Sequence, residues 1–209
     1  MILYRTARQI ARVYFRTIIK LRFEGTDNVP AVGAFLLVMN HQSHLDPLLL
    51  HTYCSRLLFT MTKSSAFRNR FMRWIEPRVG AFPTRRYQVD PQAVRVALRF
   101  LDEGKAVGIF PEGERSWDAK LKNLRRGTVR LLLKAGVPVI PCGIVGTYEV
   151  WPRWGGMNWF SMGPGRPLVT IRYGEPMHFG KYDDRASREA ALPSATKQVE
   201  EALLGLMKL

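Results

Sequence analysis

Ala34-Phe35-Leu36-Leu37-Val38-Met39-Asn40-His41-Gln42-Ser43-His44-Leu45-Asp46-Pro47 is an apolar run that breaks into a polar turn and resumes at Pro47-Leu48-Leu49-Leu50. The first run, Ala34 to Met39, reads as a short buried strand, and the second reads as the first turn of a helix. A His, a Ser and an Asp thus stand where a strand gives way to a helix. In open α/β sheets the crevice at the carboxyl ends of the strands is where ligands bind. Imidazole, with an ordinary pKa of about 6.5, is the side chain best suited to move a proton near neutral pH. A carboxylate close to it fixes its tautomer and stabilises the imidazolium that forms.

The same residues have plainer readings. Asp46-Pro47 suits a helix start, with Asp as N-cap and Pro at the first helical position. Ser43 with Asp46 three residues on is an alternative capping box. His41, His44 and Asp46 are also potential metal ligands, although only His51 lies nearby and further ligands would have to come from elsewhere. On this stretch alone the three readings stay open.

With 209 residues, 46% of them hydrophobic, the chain can build one full core, and one domain is expected. Its charge is unusual: 32 Lys and Arg against 17 Asp and Glu leave a net +15, which calls for an anionic partner. Nucleic acid, an anionic membrane surface and phosphorylated substrates all qualify, but no nucleic-acid motif occurs, so no nucleic acid is expected as partner. Cys54 and Cys142 lie in apolar surroundings and read as buried thiols of a reducing compartment. No signal peptide is evident, and no stretch reaches the roughly 18 apolar residues of a spanning helix.

Working outward, residues 1–22 place Arg5, Arg8, Arg12, Arg16 and Lys20 on one helical stripe, with Leu3, Ile10, Tyr14, Ile18 and Leu21 opposite. Such a basic amphipathic helix suits a membrane interface. The alternative is a helix packed on the domain with a solvated basic face. Strands are expected at Leu21–Gly25, Leu57–Thr62, Ala106–Phe110, Val137–Val145 and Leu168–Tyr173. Helices are expected at Pro47–Ser55, at 66–76 with Arg68, Arg70 and Arg73 among apolar residues, from Asp90-Pro91 to Gly104, at Thr128–Ala135 and at Ser194–Met207. Pro138 and Pro141 suggest that the strand at 137–145 lies at an edge or carries a bulge. Tyr148, Trp151, Trp154, Trp159 and Phe160 form either an aromatic loop at a lipid interface or a packed lid. A second strand-end loop, Pro111-Glu112-Gly113-Glu114-Arg115-Ser116, joins a carboxylate, a Gly and an Arg; a Gly turn with a surface ion pair is its plainer reading. Helix and strand patterns alternate, so the fold class is α/β: a single domain with a mixed, largely parallel β-sheet flanked by helices, plus the N-terminal basic amphipathic helix.

Asn40-His41-Gln42-Ser43-His44-Leu45-Asp46 resembles the N-H-x-S-x-x-D motif of the glycerolipid acyltransferases, the 1-acyl-glycerol-3-phosphate acyltransferase family. Phe110-Pro111-Glu112-Gly113-Glu114-Arg115-Ser116 resembles that family's F-P-E-G-x-R-S motif. Gly80 to Arg86 is similar to its second block and Val137-Pro138-Val139-Ile140-Pro141 to its fourth. The four blocks come in family order, and the resemblance covers about residues 22–175.

The resemblance implies transfer of a fatty acyl group from a thioester, acyl-CoA or acyl carrier protein, to a lysophospholipid hydroxyl, with no other cofactor and no metal. It assigns His41 as the base, Asp46 as the residue that orients it, and Arg86, Glu112, Gly113 and Arg115 to acceptor binding. It divides the chain into a membrane-interface helix, 1–22, and an acyltransferase domain, 23–209, and implies a peripheral enzyme on the cytoplasmic face of the cell membrane. Ser43 is then a cap rather than a nucleophile. The second block departs from the family's F-I-D-R, reading Phe82-Pro83-Thr84-Arg85-Arg86. That leaves glycerol-3-phosphate and other lysolipids open beside 1-acyl-glycerol-3-phosphate. Two rivals remain: a non-catalytic protein that binds anionic lipid or nucleic acid, and a metal-dependent hydrolase using His41, His44 and Asp46.

Overall fold

The computed structural model describes residues 2–75, 80–85, 90–157 and 165–208. Seven strands, β1 (Lys20–Glu24), β2 (Phe35–Met39), β3 (Leu58–Lys63), β4 (Ala81–Thr84), β5 (Ala106–Ile109), β6 (Val139–Val145) and β7 (Leu168–Tyr173), form one sheet in the order β1-β7-β6-β2-β5-β3-β4. β6 and β7 run antiparallel and the other pairs are parallel, so the sheet is mixed and largely parallel, as expected.

β2 is the middle strand, and its alternation explains its sequence. Phe35, Leu37 and Met39 enter one core with α1 (Ile2–Ile18) and α2 (Leu45–Tyr53), while Leu36 and Val38 enter the other with α4 (Pro91–Asp102), α5 (Arg126–Ala135) and α7 (Arg185–Leu206). A strand covered on both faces reads as a continuous apolar run. The remaining helices are the short α3 (Arg70–Ile75) and α6 (Thr147–Val150). β5 and β6 flank β2 in parallel, so the loops that follow all three strands open on one edge of the sheet, at strand spacings of about 4.8 Å.

Beyond the division of the helix expected at 66–76 into a 3-10 turn, Ser64–Arg68, and α3, four local expectations change. α2 starts at Leu45, with Asp46 inside its first turn rather than capping it. β6 is an inner strand, not an edge, and the one extra residue beside it lies in the neighbouring segment, between 173 and 177, rather than in β6 itself. Its register with the neighbouring strand moves by one residue between Val139↔Met177 and Cys142↔Tyr173. Val139 N–H points to that side, and so does Pro141 two residues on, whose carbonyl accepts Gly174 N–H at 2.8 Å where the register shifts. α7 begins at Arg185, capped by Asp184, whose side chain accepts from Ser187 N–H, and runs through Pro193, the residue that hid its first half from a periodicity reading.

The faces of α1 are the fourth change. Arg8 Nε donates to Thr52 O at 2.8 Å and Arg8 Nη2 to Cys54 O, while Arg12 Nε donates to Thr52 O at 3.2 Å. The last carbonyls of α2 lack partners within the helix and form the negative end of its dipole, which draws these cations inward. Phe15 and Ile18 are buried beside them, whereas Ile10, Val13 and Tyr14 are 67%, 67% and 42% exposed. The basic stripe is therefore only partly solvated, and an apolar strip faces outward.

Candidate active site

Asn40 extends β2 by side chain: its Nδ2 donates to Ile144 O at 2.8 Å and its Oδ1 accepts from Ile144 N–H at 2.7 Å. The next residue, His41, is buried with its ring stacked on Phe110, centroids 4.0 Å apart. His41 Nδ1 lies 2.8 Å from Asp46 Oδ2. The same oxygen accepts Gln42 N–H and Ser43 N–H, both at 2.7 Å. A carboxylate facing Nδ1 makes that nitrogen the protonated one and Nε2 the basic one. The capping contact Asp46–Ser43 and the His41–Asp46 pair thus coexist, and the two sequence readings are two halves of one arrangement.

Ser43 is committed to structure. Its hydroxyl donates to Trp151 O at 2.8 Å and accepts Leu45 N–H at 3.1 Å. Asp46 Oδ1 accepts from Thr147 Oγ1 at 2.6 Å, and both residues are fully buried. His44 is exposed, its ring 4.9 Å from that of Trp151. Among the described residues no group of three His, Cys, Asp or Glu side chains is placed to hold a metal ion.

The loop after β5 packs against the His41 turn. His41 N–H donates to Glu112 Oε1 at 2.6 Å, Ser116 N–H donates to His41 O at 2.7 Å, and Lys122 N–H donates to Glu112 Oε2 at 3.0 Å. Glu112, which the resemblance assigns to the acceptor, therefore turns inward and ties the two loops together. Burial pushes its carboxyl up to about 7, against the pull of its two backbone donors. Gly113 has φ +71°, and a Cβ there would come within 2.2 Å of Arg125 Nε, the atom that donates to Glu112 O at 2.9 Å. Arg115 is half-buried on the same loop, and its carbonyl accepts from Arg153. Ala119, at φ +62°, accepts from Gln42 Nε2 at 2.8 Å; that backbone region costs a non-glycine residue about 1–3 kcal/mol. Arg86 lies outside the described residues, as do Trp159 and Phe160 of the aromatic segment.

A third loop, after β6, completes the site. Besides Thr147 and Trp151 it carries Arg153, which pairs with Glu114 at 2.8 Å and lies 3.9 Å over the Trp117 ring. The described part of the aromatic segment is therefore packed across the motif loops, while Trp117 and Trp154 stay exposed. Sequence reasoning missed Thr147, Gln42 and Phe110 as parts of this site. Gln42 and Phe110 stand within the two quoted motif stretches without an assigned role, and the only sequence signal of Thr147 is its place after a strand.

A strand-end His held at Nδ1 by a buried carboxylate, in the protein's own N-H-x-S-x-x-D turn, is joined by one decisive comparison: a family model described as Acyltransferase matches residues 20–145. The chain belongs to the acyltransferase family. Its relatives include a chloroplastic 1-acyl-sn-glycerol-3-phosphate acyltransferase of Arabidopsis thaliana, 29% identical over 78% of this chain and 45% of that protein. Another, a 1-acyl-sn-glycerol-3-phosphate acyltransferase of Bacillus subtilis, is 28% identical over 82% of each chain. The chain therefore spans less than half of the plant relative and most of the bacterial one. The crystal structure of the 1-acyl-sn-glycerophosphate (LPA) acyltransferase PlsC from Thermotoga maritima superposes with a TM-score of 0.69 at 24% identity, covering 95% of this chain and 79% of that one. At that identity the likeness is one of fold.

Proposed function

We propose that this acyltransferase moves a fatty acyl group from an acyl thioester, of CoA or of acyl carrier protein, to the free hydroxyl of 1-acyl-glycerol-3-phosphate, a step of phospholipid synthesis. The observation that carries the reading is the His41 Nδ1–Asp46 Oδ2 contact of 2.8 Å beside a Ser43 hydroxyl already engaged at both donor and acceptor positions. With the Ser43 hydroxyl committed to Trp151 O and Leu45 N–H, the nucleophile of this reading is the acceptor's own hydroxyl. An alcohol is weak at neutral pH and needs a base. His41 Nε2 takes the acceptor's hydroxyl proton as the oxygen attacks the thioester carbonyl. The tetrahedral intermediate then collapses, the C–S bond breaks, and imidazolium returns the proton to the departing sulfur. The products are an ester and a free thiol, with no covalent enzyme intermediate. Arg115, half-buried on the loop after β5, and Arg86 supply cations for the acceptor's phosphate, while Glu112 and Gly113 shape the loop that carries Arg115.

The membrane side of the proposal rests on α1. No helix among the described residues is long and apolar enough to cross a membrane. Outward-facing Ile10, Val13 and Tyr14, on a chain of net charge +15, suit a helix lying in an anionic interface. We place the enzyme peripherally on the cytoplasmic face, where such lipids and the thioester donors meet.

The test is thiol release from palmitoyl-CoA and from palmitoyl acyl carrier protein, with and without 1-acyl-glycerol-3-phosphate, for wild type and His41→Ala. Acceptor-dependent release by wild type, reduced roughly 100- to 10,000-fold in the variant, is the expected result. An acyl adduct on the protein by intact-mass measurement, or turnover that survives loss of His41, would overturn the mechanism.

A further inference from the structure

Asp46 has its two carboxylate oxygens served unequally. Oδ2 meets three donors from its own turn: His41 Nδ1, Gln42 N–H and Ser43 N–H. Oδ1 is reached by Thr147 Oγ1 at 2.6 Å, from 101 residues away. The terminal torsion of an Asp side chain is broad and roughly two-fold. Rotation about that torsion carries Oδ2 off the line to His41 Nδ1, and donors on one oxygen alone resist it less than donors on both. A donor on the second oxygen restricts that rotation.

The backbone places this donor with little latitude. Thr147 opens α6 directly after Gly146, which has φ +92° and sits where a Cβ would come within 2.2 Å of Leu168 O. Only glycine passes that point without strain, so the chain turns sharply off β6 and delivers the Thr147 hydroxyl under the His41 turn. Trp151, at the end of the same short helix, accepts from Ser43, so this segment grips the turn at two points. Thr147 lies outside all four sequence blocks.

We infer that Thr147 is a positioning residue of the reaction, fixing the rotation of the Asp46 carboxylate so that Oδ2 stays in line with His41 Nδ1. The inference rests on the reading of His41 as the base, and it makes the loop after β6 part of the catalytic machinery. A donor that only satisfied a buried oxygen would affect stability; a positioning donor affects turnover through His41.

Thr147→Val keeps the shape and removes the donor, whereas Thr147→Ser keeps the donor. The valine variant is expected to lose roughly 10- to 100-fold in kcat, the range for a hydrogen bond to a charged group, with KM for both substrates unchanged. The serine variant is expected to recover to within about threefold of wild type. In an Asp46→Asn background Thr147→Val should cost nothing more, because its effect passes through Asp46. The downfield proton resonance of His41 Nδ1–H, read without substrate, should broaden or move in the valine variant and return in the serine one. Wild-type kcat and an unchanged resonance in Thr147→Val would overturn the inference, as would an equal loss in both backgrounds. If the valine variant does not fold, Thr147→Ala carries the same comparison. Should wild type release no thiol from either donor, the proposed acyl transfer fails by itself, and the proton resonance still decides Thr147.

Discussion

The backbone N–H of His41 donates to Glu112 Oε1 at 2.6 Å, joining residues 71 positions apart. This bond holds the loop after β2 against the loop after β5, and the acid that makes it is buried. Its carboxyl, ordinarily near 4.5, is raised to about 7, with burial the largest cause. A folded-state value above the unfolded one means the native state binds the proton more tightly between the two. The stability linked to Glu112 is thus fully present below about 4.5 and is lost as pH rises through about 7, a change of at most about 3 kcal/mol. Urea unfolding of wild type and Glu112→Gln across that window should show stability falling with pH more steeply in wild type. Parallel slopes would rule out Glu112 as the titrating group.

Asp46→Asn keeps the size of the side chain but offers an NH2 group where Oδ2 was. Gln42 N–H, Ser43 N–H and Thr147 Oγ1 still need acceptors, so the amide oxygen stays with some of them and its nitrogen turns to His41. Nδ1 then becomes an acceptor and the ring proton moves to Nε2, which removes the base. Turnover should fall roughly 100- to 10,000-fold with little change in KM. Steady-state thiol release measures this, and near-normal kcat would mean that His41 does not act through Nε2.

Gly113→Ala tests whether the glycine serves the loop. Its φ of +71° disfavours any side chain, and the new methyl would lie 2.2 Å from Arg125 Nε and 2.5 Å from Arg125 Cδ. Arg125 must swing away and give up its bond to Glu112 O. A destabilisation of about 1–3 kcal/mol is expected. The companion variant Arg125→Ala, which clears the space, should make the second substitution cheaper. Thermal melts of the single and double variants read the coupling, and strict additivity would exclude this contact as the reason for the glycine.

The outward strip of α1 separates membrane binding from folding. Burial of an aliphatic side chain in an apolar medium is worth about 1.5–3 kcal/mol, so Ile10→Glu with Val13→Glu should weaken binding to vesicles containing anionic phospholipid by at least about tenfold. The melting temperature should stay near that of wild type, because both residues are exposed. Arg8→Ala should do the reverse, lowering the melting temperature through lost contacts to Thr52 O and Cys54 O while leaving vesicle binding within a few-fold. Co-sedimentation and melting curves distinguish the two, and equal vesicle binding by the doubly substituted helix would remove α1 from the membrane contact.

Much of this architecture is legible along the chain. A run such as Phe35-Leu36-Leu37-Val38-Met39 has no polar face, so it must be covered on both sides, which is the condition of an inner parallel strand. Asp90-Pro91 announces the start of α4, and Asp90 does accept from Gln92 N–H and Ala93 N–H. The polar turn between β2 and α2 lies at a strand end, where α/β sheets bind ligands, although capping and metal readings of its side chains stay open on that stretch alone.

Features that depend on neighbours in the chain are readable from residues alone: the strand and helix periods, the cap of α4, and the presence of His41 and Asp46 in one short turn. Which groups those residues meet depends on the packed fold. The C-terminal carbonyls of α2 turned the arginines of α1 inward. A bulge beside β6 made room for Pro141 in the middle of the sheet. Adjacent parallel strands brought Glu112 and Thr147 to the His41 turn from 71 and 101 positions away. Hydrogen bonds and dipoles act over a few ångströms of space, and separation along the chain carries no record of which distant groups the fold will place within that reach.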